Sequence, residues 1–279
     1  MKLDSLDFET EFLRRNNDRK QILSYIHSAL GVSVVDWDNL TRVNLGIIAD
    51  HIKSNVSANS AVTYMAILKS FLNRFSEEGL IPCKSYQSEL TVRRVPSQHL
   101  ALTMEEIVAF DMYEPKTQTE RDVKNLFMRG CLTGMRSSDA VLLSESNIRD
   151  GVLSYVSQKT KIEVRQPVHA RLMKYVMEKP NKIHQRSVVN RVIQSICKKL
   201  GMTEEVQLFV NGKLCRGEKY KFITMHSSRR SYVSCLAANG VPIATISRLA
   251  GHSSTSMTDR YVCIDTRKLG EDVMMFFQK

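Results

Sequence analysis

Three short segments of the chain carry side chains of the types that phosphoryl chemistry uses. They contain Arg136, the pair His226 and Arg229, and His252 with Tyr261 nine residues later. Two guanidiniums can hold one anion in fork geometry without a metal ion, because arginine stays protonated. A tyrosine phenol has a pKa of about 10, so roughly one in a thousand is phenolate at neutral pH, and its attack on phosphorus requires deprotonation or electrostatic help. Each segment alone is a weak signal, because a single arginine or a His–Arg pair on one helix face is usually structural.

The joint pattern is more specific than its parts. Taken in this order, with Lys159 on a polar hairpin tip between the first and second segments, the residues resemble the tyrosine recombinase family, which includes phage integrases and the Xer recombinases. The likeness covers the second part of the chain by motif order and spacing, and the first part more loosely. It implies a site-specific DNA recombinase or integrase with this catalytic set: Tyr261, Arg136, Lys159, His226, Arg229 and His252.

The resemblance also implies roles for these residues. Tyr261 would be the nucleophile, and Arg136 and Arg229 would grip the scissile phosphate. His226 would accept the phenol proton. His252 would donate a hydrogen bond to the phosphate, a role that the context favours over the alternative of an ordinary turn residue after a helix end.

Lys159 would be the general acid that protonates the departing sugar hydroxyl. Lys161 is its competitor, and Lys159 is preferred because its position 23 residues after Arg136 fits the family's usual placement. Asp139 resembles an acidic position that braces the family's active site, although an ordinary surface carboxylate is nearly as good an interpretation. The chain departs from the family pattern at Arg230, where many relatives have histidine, and we interpret Arg230 as a contact to the DNA backbone.

By the same resemblance, the reaction exchanges one phosphodiester for another. Tyr261 attacks double-stranded DNA to leave a 3′-phosphotyrosine and a free 5′-hydroxyl, and a tetramer acts on two sites through a Holliday junction, with accessory DNA-bending proteins as further candidate partners. No cofactor or metal is expected, since the sequence has no GxxxxGK[ST] loop, HExxH or paired-carboxylate motif. The alternatives are a type IB topoisomerase and a non-enzymatic DNA-binding regulator on the same fold. The target sequence and the recombination outcome, including any role in a mobile element, stay open.

Charge and composition suit an enzyme that works on DNA in the cytoplasm. The net charge is +11, and residues 1–100 carry 12 basic against 11 acidic side chains, whereas residues 101–279 carry 28 against 18. A basic surface of this kind attracts DNA phosphates. No stretch has the roughly 18 consecutive apolar residues of a membrane span, and the acidic start lacks the order of a signal peptide. The six cysteines form no CxxC pair, so we expect reduced thiols and a cytoplasmic, nucleoid-associated protein.

Apolar periodicity predicts a mainly α protein with a small β-sheet. Residues 1–90 should form a helical core-type DNA-binding domain, which the resemblance identifies as SAM-like. Residues 91–100 should be a linker, and residues 101–279 the tyrosine recombinase catalytic domain with a C-terminal tail. Thr41 and Thr103 are the expected N-caps of helices.

Within the second domain, residues 151–156 and 162–168 should pair as strands around the tip at 158–161. Helices are predicted over residues 170–179, 187–200, 226–239 and 242–250. The first domain starts near residue 5, so we expect no separate arm-type DNA-binding domain. The apolar tail at 269–277 could dock on a neighbouring protomer or fold onto its own domain, and the sequence favours neither.

Overall fold

A computed structural model describes residues 7–263 of the chain, which divides into two compact units. The first unit comprises the described residues up to Ser97 together with Phe209–Leu214. The second unit comprises Gln98–Leu208 and the described residues from Cys215 onward. The break after Ser97 lies inside the stretch predicted as a linker. Across residues 7–263, none of the helices combines the length and the apolarity needed to cross a bilayer.

The first unit consists of short helices around an aromatic core. Its helices are α1 (Phe8–Asn16), α2 (Lys20–Leu30), α3 (Arg42–Asn55), α4 (Ala58–Leu72) and α5 (Tyr86–Glu89). Thr41 caps α3 as predicted, because its side chain accepts a hydrogen bond from the Asn44 backbone N–H. In the core, Phe71 packs edge-on against Phe8 and stacks on Trp37. Such aromatic contacts add to the stabilisation that burial of the rings supplies.

The second unit is also mainly helical. Its helices are α6 (Met104–Met112), α7 (Gln118–Thr133), α8 (Ser137–Leu142), α9 (Ala170–Met177), α10 (Arg186–Lys199), α11 (Met225–Ala238), α12 (Ile243–Ala250) and α13 (Thr255–Asp259). The capping box predicted at Thr103 is present, since Thr103 and Glu106 each bind the other's backbone N–H through the side chain. Helices α7 and α11 pack closely at Gly130, where a Cβ would lie 2.2 Å from the Ser228 Oγ.

Two small sheets accompany these helices. Strands β1 (Ile148–Arg149), β2 (Val152–Val156) and β3 (Glu163–Pro167) form an antiparallel sheet in that order, with Tyr155 opposite Val164. The predicted hairpin is therefore confirmed, and β1 extends it. Strands β4 (Glu205–Val210) and β5 (Lys213–Glu218) form a two-stranded sheet. Asn211 and Gly212 between them both have positive φ, as a type I′ turn requires.

The prediction of a mainly α fold with a small sheet is confirmed, and so are the four helices predicted after the hairpin. Helix α5 lies at the end of the predicted helical domain, where Tyr86 and Leu90 are buried in the core of the first unit. Helices α7 and α8 and the β4–β5 sheet were not predicted. The tail at residues 269–277 lies outside the described residues.

Candidate active site

Arg229 lies almost fully buried on α11, with 1% of its surface exposed. Its NH1 donates a hydrogen bond to the Gly134 carbonyl at 2.6 Å. Its Nε and NH2 are buried and no acceptor among residues 7–263 lies in hydrogen-bond geometry with them, although the nearby Tyr261 phenol favours the charged guanidinium. Burial, followed by the charge of Arg136, lowers the pKa of this guanidinium, which stays protonated at neutral pH. A buried cation with free donors is suited to hold an anion.

Arg136 is the residue that precedes α8, three positions after the end of α7. The chain turns between the two helices at Gly134, which has a φ of 67° and where a Cβ would lie 2.4 Å from the Tyr232 ring. A glycine fits this turn because it has no Cβ to clash and adopts positive φ freely. The charge of Arg136 lowers the pKa of both Arg229 and His252. The two predicted phosphate-binding arginines therefore share one neighbourhood.

Tyr261 lies between the two predicted histidines. Its hydroxyl oxygen is 2.9 Å from His226 Nε2, and its ring centroid is 4.6 Å from that of His252. The guanidinium carbon of Arg229 is 5.4 Å from the Tyr261 ring centroid, and that of Arg230 is 4.7 Å from it. The phenol thus lies in a cationic pocket, in hydrogen-bond contact with a residue that can accept its proton.

Both histidines are held in the neutral form at physiological pH. Loss of water around the imidazole, followed by the charges of two arginines, lowers the pKa of His226 to about 4. Because part of His226 is exposed to solvent, loss of water alone does not account for this lowered pKa, and the positive charges of the nearby guanidiniums act in the same direction. Burial, again followed by two arginine charges, lowers the pKa of His252 to about 3. A neutral His226 can act as a base toward the phenol to which it is hydrogen-bonded.

His252 is buried just beyond the end of α12, with 6% of its surface exposed. Its Nδ1 is 2.8 Å from the Thr258 Oγ1, whereas its Nε2 is buried without a hydrogen-bond partner in the described part of the chain. The preceding Gly251 has a φ of 63°, and a Cβ there would lie 2.7 Å from a methyl group of Val164. Strand β3 therefore packs directly against the turn that presents His252. The Thr258 hydroxyl, which sequence reasoning missed, orients the ring.

Lys159 lies on the hairpin tip and is exposed. Within residues 7–263 the structure gives its side chain no hydrogen bond or ion pair, so it is not joined to the other five predicted residues. The tip itself is close to the His252 turn, because the Thr160 hydroxyl donates to the Gly251 carbonyl at 3.5 Å. Lys161 is exposed as well and has a φ of 56°. Contacts alone therefore do not separate the two lysines.

Two neighbours of the site, Asp139 and Arg230, are buried, which decides against an ordinary surface position for either of them. Asp139 is 5% exposed and accepts hydrogen bonds from the Ser157 hydroxyl and the Gln158 N–H, both at 3.0 Å, so it is not an ordinary surface carboxylate. Arg230 is also buried, and its NH1 donates to the Arg260 carbonyl at 2.7 Å. Its guanidinium packs on the tyrosine ring, which places it within the pocket rather than on an open DNA-binding surface.

The model of the phage integrase family matches residues 101–267, more than half of the chain. The chain belongs to the phage integrase family. It is a tyrosine recombinase, an enzyme that cuts DNA strands at specific sites and rejoins them. Neither a type IB topoisomerase nor a non-enzymatic DNA-binding regulator is better supported than a recombinase.

Similar proteins agree with this assignment. The tyrosine recombinase XerC of Thermodesulfovibrio yellowstonii is 26% identical over 253 residues, which cover 81% of this chain and 78% of that protein. Among solved structures, a lambda integrase dimer bound to a COC′ core site has a TM-score of 0.64 at 16% identity and covers 92% of this chain and 95% of its own. A lambda integrase tetramer bound to a Holliday junction has a TM-score of 0.62 at 15% identity, with coverages of 93% and 78%. At these identities the solved structures show the fold.

Proposed function

We propose that this recombinase works through a covalent 3′-phosphotyrosine on Tyr261. One observation supports the proposal above the others. Buried nitrogens without partners lie around a phenol that is hydrogen-bonded to His226: the Nε and NH2 donors of Arg229, and the Nε2 of His252, which is a donor when the Thr258 hydroxyl donates to Nδ1. Buried polar groups are almost always paired, so a cluster of unpaired donors implies that an acceptor binds there. A DNA phosphodiester supplies acceptor oxygens and negative charge together.

The chemistry follows from the protonation states of these groups. Neutral His226 takes the proton from the Tyr261 hydroxyl as its oxygen bonds to phosphorus. Arg136 and Arg229 stabilise the negative charge on the non-bridging oxygens, and His252 donates a hydrogen bond there. The bond from phosphorus to the 5′-oxygen breaks, and this oxygen receives a proton.

Lys159 is the proposed donor of that proton. The hairpin tip carries it beside the turn of Gly251, which precedes His252. The free 5′-hydroxyl of a second strand then attacks the phosphotyrosine, and the same groups exchange protons in reverse. Because each step replaces one phosphate ester by another, the residues need no nucleotide energy source.

We further propose that the first unit holds the DNA backbone. It contains a cleft of about 330 Å³ whose lining includes Arg15, Arg74 and Arg94. Three guanidiniums beside the hydroxyls of Thr63 and Ser70 suit phosphate contacts, which position a protein on DNA without reading its sequence. In this proposal residues 1–90 bind DNA, residues 91–100 connect the two domains and add Arg94 to the cleft, and residues 101–279 carry out strand transfer.

By likeness to the lambda integrase tetramer, we propose that four protomers assemble on two double-stranded DNA sites in the cytoplasm, at the nucleoid. DNA-bending proteins would assist where the sites require a bend.

A covalent-capture experiment tests the proposal. The full chain is incubated with a library of nicked duplexes of random sequence, and adducts that survive denaturation are isolated and sequenced. We expect the wild type to form adducts without added metal, Tyr261→Phe to form none, and the control Tyr220→Phe to behave as the wild type. Absence of a wild-type adduct, or an adduct with Tyr261→Phe, would contradict the proposal. Two duplexes with the captured sequence should also exchange strands, whereas relaxation of supercoiled DNA without exchange would indicate a topoisomerase.

A further inference from the structure

Ser157 lies at the base of the hairpin tip and is 1% exposed. Its backbone closes the tip from both sides, since its N–H donates to the Ile162 carbonyl at 2.9 Å and its carbonyl accepts from the Lys161 N–H at 2.8 Å. Ser157 is thus fixed by its own backbone, two residues before Lys159. No sequence motif marks this serine.

The Ser157 hydroxyl bridges two charged groups of the site. Arg136 NH1 donates to its oxygen at 3.0 Å, and the hydroxyl donates to Asp139 Oδ2 at 3.0 Å. The direction of this chain is fixed, because a guanidinium has only donors and a carboxylate only acceptors. The second oxygen of Asp139 accepts a hydrogen bond from the Gln158 N–H at 3.0 Å. This bond holds the Asp139 carboxylate, the acceptor of the Ser157 hydroxyl, in place.

Ser157 makes the contact between Arg136 and Asp139 indirect, which preserves the positive charge of the guanidinium. In the described part of the chain no ion pair joins Arg136 to Asp139, and Ser157 is the hydrogen-bond acceptor of the Arg136 guanidinium. A carboxylate paired directly with Arg136 would neutralise the charge that the phosphate needs. A neutral hydroxyl between them orients the guanidinium and leaves its charge and its other N–H donors for an anion.

We propose that Ser157 is a positioning residue for strand cleavage, which orients the Arg136 guanidinium toward the scissile phosphate through a hydrogen bond that Asp139 fixes. The inference rests on the proposed function of Arg136 as a phosphate-binding group. Ser157 itself does not touch the substrate. Its loss should therefore weaken charge stabilisation on the non-bridging oxygens and leave proton delivery to the 5′-oxygen intact.

The test measures single-turnover cleavage of the duplex captured with the wild type. Ser157→Ala removes the bridge and keeps the backbone bonds, and Ser157→Thr keeps the hydroxyl. Ser231→Ala is the matched control, since Ser231 is a buried serine whose hydroxyl also bridges two groups, the Leu102 N–H and the Ser227 carbonyl. Ser231 is two residues from Arg229 along α11, on the opposite side of the helix.

We expect Ser157→Ala to slow cleavage by about tenfold to a hundredfold, the effect of a misplaced group near the reacting atoms. Ser157→Thr should restore most of the rate, and Ser231→Ala should keep it. Two modified substrates identify the affected step. A methylphosphonate at the scissile position has no charged non-bridging oxygen, so the defect of Ser157→Ala should shrink there. A 5′-bridging sulfur leaves without a proton, so the defect should persist on it, whereas Lys159→Ala should show the reverse pattern.

Several outcomes would overturn the inference while leaving the proposed function intact. They are a Ser157→Ala rate within twofold of the wild type, an equal defect on the methylphosphonate, rescue by the bridging sulfur, and an equal loss in Ser231→Ala. A Ser157→Thr variant that melts as the wild type but cleaves no faster than Ser157→Ala would overturn it too. Absence of any wild-type adduct would refute the proposed function itself.

Discussion

Two buried arginines on neighbouring helices of the second unit, Arg129 on α7 and Arg229 on α11, differ in how their donors are used. Arg129 is 0% exposed and Arg229 is 1% exposed. Arg129 donates through Nε and NH2 to the Tyr175 carbonyl, and through NH1 to the carbonyls of Ala140 and Leu143. Arg229, by contrast, makes one hydrogen bond and leaves two buried nitrogens without a partner in the described chain.

The difference separates a structural role from a functional one. The carbonyls that Arg129 binds lie at or near the C-terminal ends of α8 and α9, where a cation also complements the helix dipole. Arg129 therefore joins these helices to α7. Arg229 has a desolvation cost that its own fold does not offset, which is typical of a group reserved for a ligand. Burial alone does not mark a functional arginine, whereas buried donors without acceptors do.

Replacement of Arg229 tests this comparison most strongly. Arg229→Met should lower the rate of covalent adduct formation by roughly a thousandfold, because a preorganised donor to the phosphate oxygens is lost. Its melting temperature should stay the same or rise, since a buried charge without a full set of partners is replaced by a side chain that packs well. Adduct kinetics and thermal melting of the same preparation measure both. If Arg229→Met cleaved at a near-normal rate, or unfolded, the proposed distinction between a functional Arg229 and a structural Arg129 would be wrong.

Arg129→Met should show the opposite pattern. We expect it to lower the free energy of unfolding by roughly 3–5 kcal/mol, because three buried carbonyls lose a charged donor. At a temperature where the variant is still folded, its single-turnover cleavage rate should stay within a few-fold of the wild type. Urea denaturation gives the stability. Unchanged stability would show that the four hydrogen bonds of Arg129 contribute little.

The sequence reveals these two arginines unequally. Arg229 was predicted because His226 precedes it by three residues, and because His252 and Tyr261 follow in a known order. Nothing in the neighbourhood of Arg129 marks it, since its acceptors are carbonyls from residues 140, 143 and 175, which the fold alone brings together.

The contrast between local sequence signals and contacts made only by the fold also explains which other features could be predicted. The caps at Thr41 and Thr103 were predicted because their partners lie three residues away. The roles of Ser157 and Thr258 were not, because they depend on contacts made only in the folded chain. The β4–β5 sheet was missed although its Asn211-Gly212 turn is a local signal.

A smaller effect is expected from His252, whose buried Nε2 is the other unpaired group of the pocket, in the acid dependence of stability. Its folded pKa of about 3 lies below its ordinary value of 6.5, so the unfolded chain binds a proton that the folded chain excludes. The contribution of His252 to stability is therefore complete above pH 6.5 and is lost as the pH falls from there toward 3. Between pH 6.5 and 4.5 the loss should be roughly 1–3 kcal/mol in the wild type. His252→Asn should lose that much less over the same pH range, because it keeps only the parallel contribution of His226.

Urea denaturation of both proteins across this pH range measures the effect, and sulfate provides a further control. An anion held between Arg229 and His252 favours the protonated imidazole in the folded state, so sulfate should reduce the loss in the wild type and leave His252→Asn unaffected. Arg229→Met should abolish this response to sulfate, because the anion loses its main partner. Parallel pH profiles of wild type and His252→Asn would instead mean that the imidazole of His252 is protonated equally in the folded and unfolded chain, and that its buried Nε2 is not part of the anion pocket.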